Sequence, residues 1–173
     1  MTGDEKWVLL NNPDRENQWL LPNVPPKPVV KRRFETKVMI CVRWNFEGIV
    51  HFELTPDGCA VNAELYCQQL EPAYAVLKER YPALVNRKRV LLQHDNAPAH
   101  TVRLTAKMLQ KLEGIEVFPH PVYSTDLAPS DYHFFLSMAH YMKGRQFKNV
   151  EDVEKGCRDF FASKPQEWYT REI

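Results

Sequence analysis

The most constraining feature of the sequence lies near its middle. Val90-Leu91-Leu92 runs through Gln93 into His94-Asp95-Asn96, and Pro98 follows at once. The apolar run reads as a buried strand, and a carboxylate where such a strand gives way to a loop is expensive to desolvate. That cost makes sense if Asp95 holds a cation or handles protons at the open end of a sheet. Thr101 to Leu112 then reads as helix, with Val102, Ala106, Leu109 and Leu112 on one face. Gly114 ends it, and Ile115 to Phe118 reads as a short strand. Strand, helix and strand of these lengths make a parallel crossover unit, right-handed by rule. Asp95 is thereby placed at the carboxyl end of a strand, where open α/β sheets collect ligands.

The flanking segments fit around this unit. Lys6 to Leu10 reads as a strand that starts just after Asp4 and Glu5, two acids read on their own as a solvated terminus. Residues 11–36 form a proline-rich arm ending in the basic cluster Lys31-Arg32-Arg33, with room for a short strand at Trp19-Leu20-Leu21. Val38 to Trp44 and Ile49 to Leu54 read as a hairpin joined by Asn45-Phe46-Glu47-Gly48. After a turn at Pro56-Asp57-Gly58, Asn62 caps a helix reaching about Arg80, with a kink or break expected at Pro72. Ser130 reads as the N-cap of a helix from Asp131 to about Lys143. Asp131 heads its apolar stripe of Phe134, Phe135, Met138 and Met142, so this acid is aimed at the sheet. Val150 to Ala162 is a further amphipathic helix, and Pro165 opens a last short one.

Composition narrows the function classes. The chain has 173 residues, enough for one domain with a sizeable core, and a formal net charge of +1, so any nucleic-acid contact must come from a local basic patch. Cys41, Cys59, Cys67 and Cys157 form no C-x-x-C pair and read as reduced thiols of an intracellular protein. No apolar run approaches a membrane span. His94, His100, His120 and His133 lack the H-x-x-x-H spacing of a helical zinc site and read as hydrogen-bonding histidines.

Carboxylates therefore fall near the first strand, after the fourth, and at a later helix start. That is the layout of an RNase H-like fold, an α/β architecture with a mixed five-stranded sheet flanked by helices. Acids gathered at one point repel unless cations compensate them, and an all-oxygen ligand set selects magnesium or manganese. Two such ions would serve phosphodiester chemistry. The segments TGDEKW (Thr2 to Trp7), YCQQL (Tyr66 to Leu70), LVNRK (Leu84 to Lys88), HDNAPAH (His94 to His100) and YSTDLAPSDYHFF (Tyr123 to Phe135) resemble the catalytic domain of mariner-family transposases over effectively the whole chain.

The resemblance implies that Asp4, Asp95 and Asp131 are the catalytic, metal-binding aspartates. It also implies Mg2+ or Mn2+ as cofactor, DNA (transposon ends and target) as partner, and work in the nucleus. Lys31, Arg32, Arg33 and His100 are candidate DNA contacts, and the arm is a candidate homodimer contact. His94, Asn96 and His133 are candidates for steadying the metal-binding acids. The chain departs from the family pattern at Thr125, where proline is usual, and in the 35 residues between Asp95 and Asp131, one more than usual. The family's N-terminal helix-turn-helix pair and extreme C-terminus have no counterpart, and the strand carrying Asp4 is expected to fray. A second reading is accordingly a catalytically inactive, transposase-derived DNA-binding or dimerisation module.

Overall fold

The computed structural model describes residues 1–12, 19–25, 36–55, 59–87, 90–171 and 173. Lys31, Arg32 and Arg33, and the turn at Pro56-Asp57-Gly58, lie outside the described residues. Five strands form one sheet in the order β3-β2-β1-β4-β5: β1 (Thr2–Leu9), β2 (Lys37–Asn45), β3 (Gly48–Leu54), β4 (Val90–Gln93) and β5 (Ile115–Phe118). The first three are antiparallel; β4 runs parallel to β1, and β5 parallel to β4. The expected crossover is thus formed.

β1 begins earlier than its apolar residues show, because pairing rather than hydrophobicity sets its start. It matches β2 from Thr2 opposite Trp44 to Leu9 opposite Lys37, and on its other side Met1 bonds with the backbone of Leu91 and Gln93. Asp4 therefore sits inside a hydrogen-bonded strand. The hairpin closes on Asn45 opposite Gly48, with Gly48 at a φ of 132° that side-chain-bearing residues rarely adopt. Trp19 and Leu21 are exposed and form no strand.

Helices cover both faces of the sheet. On one, α1 (Ala63–Arg80) packs Tyr66, Leu70, Ala73 and Leu77 against Val50, Val90 and Leu92. Asn62 caps it as expected, its side chain accepting from Leu65 N at 2.8 Å. The helix runs unbroken through Pro72, and the chain breaks only at Pro82, which opens the short α2 (Pro82–Asn86). On the other face, α5 (Leu136–Met142), α6 (Val150–Ala162) and α7 (Gln166–Thr170) bury Met138, Val153, Phe160 and Tyr169 against Ile40, Val42 and Trp44. Each such side chain contributes about 1.5–3 kcal/mol of burial.

The helix expected over Thr101 to Leu112 is two: α3 (Pro98–Thr101) and α4 (Arg103–Lys111). Its expected apolar face is only partly used. Leu112 is buried and Leu109 half-buried, whereas Ala106 and Val102 are exposed, and Thr105, outside that face, is buried. The segment after Pro129 also differs from expectation. Ser130–Phe135 forms a π-helical turn before α5, a widened form that clusters at functional sites.

Candidate active site

The three aspartates come from three elements that meet where the amino-terminal part of β1 passes the carboxyl end of β4. Alternation along β1 sends Asp4 to the face that carries the π-helical turn, and Glu5 to the opposite face beneath α1 and α3. Asp95 stands two residues past β4, and Asp131 lies in the first residues of the π-helical turn. That turn is tied to the sheet through Ser130. The buried Ser130 hydroxyl accepts from Trp44 Nε1 at 3.1 Å and lies 3.2 Å from Thr2 Oγ1, which in turn donates to the side-chain carbonyl of Gln93. Ser130 is therefore a sheet anchor rather than the expected side-chain cap.

The acids feel one another. Burial, then the nearby charge of Asp131, pushes the Asp4 carboxyl up to about 8, even though Glu5 N–H donates to its Oδ1 at 2.7 Å. Burial also raises Asp131; Lys6 works against that shift and Asp95 adds to it. Asp95 goes the other way. Its Oδ1 takes a 2.6 Å hydrogen bond from His100 Nδ1, the main cause of a lowered pKa, and another from Ala97 N at 2.9 Å. Crowded carboxylates that raise one another's proton affinity suit a divalent cation, and their oxygens are the hard ligands that magnesium or manganese prefers. Among the described residues no three His, Cys, Asp or Glu side chains stand close enough together, as folded, to hold a metal ion.

The other candidates are placed as follows. His100 is buried, its ring held between Asp95 and Glu5, whose Oε2 lies 3.1 Å from Nε2; in this position it faces the protein rather than a DNA surface. Burial opposes its charge, but the bonds to Asp95 and Glu5 prevail and raise it to about 9. His94 stacks on His100 with centroids 5.1 Å apart and meets the Tyr66 hydroxyl at 2.5 Å. Burial, then the charge of His100, lowers it to about 4. Asn96 donates to His120 O at 2.6 Å, fixing the loop after β5 beside Asp95. His133 turns away from the acids, with Nε2 3.2 Å from Trp168 O. A cavity of about 450 Å³ opens on the β5 side of Asp95, walled by Leu109, Ile115, Phe118, His100 and His120 and by none of the three aspartates.

Glu5 and Arg43 are what the sequence reading missed. Starting the strand at Thr2 would have exposed Glu5 as an inward residue, since neighbouring strand positions face opposite sides. Arg43 lies directly across from Gly3, where a Cβ would come within 2.9 Å of the arginine Cγ.

Residues 9–100, more than half of the chain, match the family model described as transposase (partial DDE domain). The chain belongs to this transposase family. Across its whole length it is 41% identical to the mariner Mos1 transposase of Drosophila mauritiana and 36% identical to the histone-lysine N-methyltransferase SETMAR of Homo sapiens. It spans half the length of the first and a quarter of the second. The crystal structure of the Mos1 catalytic domain superposes with a TM-score of 0.78 at 37% identity, over 99% of this chain and 73% of that one. The Mos1 paired-end complexes with Mn and with Mg each give 0.85, at 42% and 41% identity, over 99% of this chain and 50% of theirs. The sheet and helices of this transposase-family chain thus form the expected RNase H-like fold.

Proposed function

We propose that the chain is the catalytic domain of a DNA transposase, carrying out metal-dependent phosphodiester cleavage and strand transfer in cut-and-paste transposition. The reading is supported by Asp4, Asp95 and Asp131 on three separate elements: the charges of Asp131 and Asp95 raise the Asp4 carboxyl, and that of Asp95 raises Asp131. These three would hold two divalent ions; the Mos1 complexes with Mn and with Mg support the kind of metal, Mg2+ or Mn2+. When bound, such ions supply the positive charge that stabilises the attacking and leaving oxygens of a phosphodiester displacement. Asp95, drawn down by His100, would offer an ionised carboxylate to the cation, whereas Asp4, raised to about 8, would give up a proton to do so. The tie from Ser130 to Thr2 and Trp44 keeps Asp131 in register with β1.

DNA is the proposed partner, with transposon ends and target as substrates and the nucleus as the place of work. Lys31, Arg32 and Arg33 are the phosphate contacts put forward, and the arm at 11–36 the homodimer contact. Their support is the basic and proline-rich sequence, while the paired-end complexes of Mos1 support DNA as the partner. The reading as an inactive module is less well supported, since all three aspartates are present in the sequence.

The test is nicking of supercoiled DNA by the full chain. Wild type is expected to nick with Mn2+ or Mg2+ and to stop when the metal is chelated. Asp95→Ala is expected to fall by more than about 100-fold, beyond the range for residues that only support a ligand. Nicking without metal, or equal nicking by Asp95→Ala, contradicts the reading.

A further inference from the structure

Beneath the aspartates, on the face of β1 away from Asp131, lies a buried chain of charged and polar side chains that the proposed chemistry does not use. Arg43 is 1% exposed, with its guanidinium 4.9 Å from the Tyr66 ring and Nη2 4.0 Å from Glu5 Oε1. Glu5 Oε2 stands 3.1 Å from His100 Nε2, an ion-pair contact rather than an aligned hydrogen bond. His100 Nδ1 then meets Asp95 Oδ1 at 2.6 Å. Such an array is costly. Buried ion pairs seldom stabilise a fold relative to apolar packing, and two guanidinium nitrogens of Arg43 have no hydrogen-bond partner among the described residues.

The local sequence builds this contact deliberately. Pro98 opens α3 at once, so the chain turns back within a few residues and lays the His100 ring on the carboxylate at the other end of the same motif. Both described contacts of the Asp95 carboxylate fall on Oδ1. With Oδ1 occupied, rotation of the carboxylate would break two hydrogen bonds. A ligating acid gains most when its orientation is fixed before the cation arrives.

We propose that Glu5 and His100 are positioning residues that hold Asp95 by its Oδ1, leaving Oδ2 as the oxygen presented to the divalent ion. Arg43 holds Glu5 in turn. The inference rests on the metal-site reading above and deepens it, assigning a purpose to a polar core that packing alone does not require.

The experiment is titration of the full chain with Mn2+, following free ion by electron paramagnetic resonance, with folding monitored by circular dichroism. His100→Ala is expected to weaken Mn2+ binding by about 10–100-fold. His100→Asn, whose amide can replace the Nδ1 donor, is expected to recover most of that loss. Glu5→Gln keeps the shape of the side chain but loses its charge, and is expected to weaken binding by about tenfold, the lower end of the same range. If His100→Ala does not fold, Glu5→Gln and His100→Asn decide. Wild-type affinity in Glu5→Gln overturns the proposal. So does a folded His100→Asn that binds Mn2+ a hundredfold more weakly than wild type, since the donor would then not be what matters. A wild-type chain that binds no Mn2+ overturns the metal-site reading and the positioning role with it. Normal wild-type binding that is unchanged in the variants overturns the positioning role alone.

Discussion

Asp4 lies inside a strand, opposite Val42 of β2, and its carboxyl is pushed up to about 8 by burial and by Asp131. Asp95 lies just beyond a strand end, and His100 and the Ala97 amide draw it below the usual carboxylate range. The two side chains have the same chemistry and serve one proposed site. What differs is compensation: Asp95 has a cationic partner built into the protein, whereas the main influences on Asp4 are desolvation and a like charge. Half of the site is thus stable as folded, and the other half stores a repulsion that a divalent ion would relieve.

The strongest way to break this comparison is to remove one acid at a time. The loss of metal-dependent nicking should exceed about 100-fold for Asp95→Ala, and Asp4→Ala should match it, because each supplies a ligand the other cannot replace. An Asp4→Ala variant with wild-type activity would mean that the strained corner is not part of the site.

The next effect is on stability. A carboxyl raised from about 4 to about 8 favours the protonated folded state, so its contribution is fully present below pH 4 and is lost as pH rises to 8. Asp4→Asn removes this dependence. In urea denaturation without metal, the variant should gain on wild type progressively between pH 4 and 8 and hold a constant advantage above, on the order of a few kcal/mol. His94 and His100 titrate in overlapping ranges, but they are common to both proteins and largely cancel in the difference. An advantage that shrinks with rising pH would reverse the assignment.

Smaller effects separate the site from its scaffold. Ser130→Ala leaves the buried Trp44 Nε1 without its acceptor and frees the turn carrying Asp131, so it should cost about 1–3 kcal/mol in urea denaturation. Asn62→Ala removes a helix cap far from the aspartates; it should cost about 1 kcal/mol and leave Mn2+ affinity unchanged.

Much of this was legible in the residues. The strand–loop boundary at Asp95, the crossover to β5, the hairpin and the inward aim of Asp131 follow from periodicity and turn chemistry, which are local. What escaped was set by tertiary pairing. The start of β1 depends on β2 and β4 rather than on its own apolar residues, and with it the burial of Glu5. His100 reads as a DNA contact because nothing local shows that α3 folds its ring back onto Asp95. Pro72 reads as a break, yet α1 continues through it because its packed face, with Leu70, Ala73 and Leu77, spans the proline. Ser130 has the look of a cap, but Trp44 and Thr2, distant in sequence, claim its hydroxyl.

The central claim is that the three acids form one cation site whose repulsion the ion relieves. It is tested most directly by the protons released when Mn2+ binds. Isothermal titration calorimetry at pH 7, in buffers of different ionisation enthalpy, should report close to one proton released per site by wild type, because Asp4 must deprotonate to ligate. Asp4→Asn should lose that release. Binding heats that are identical in every buffer would contradict the account.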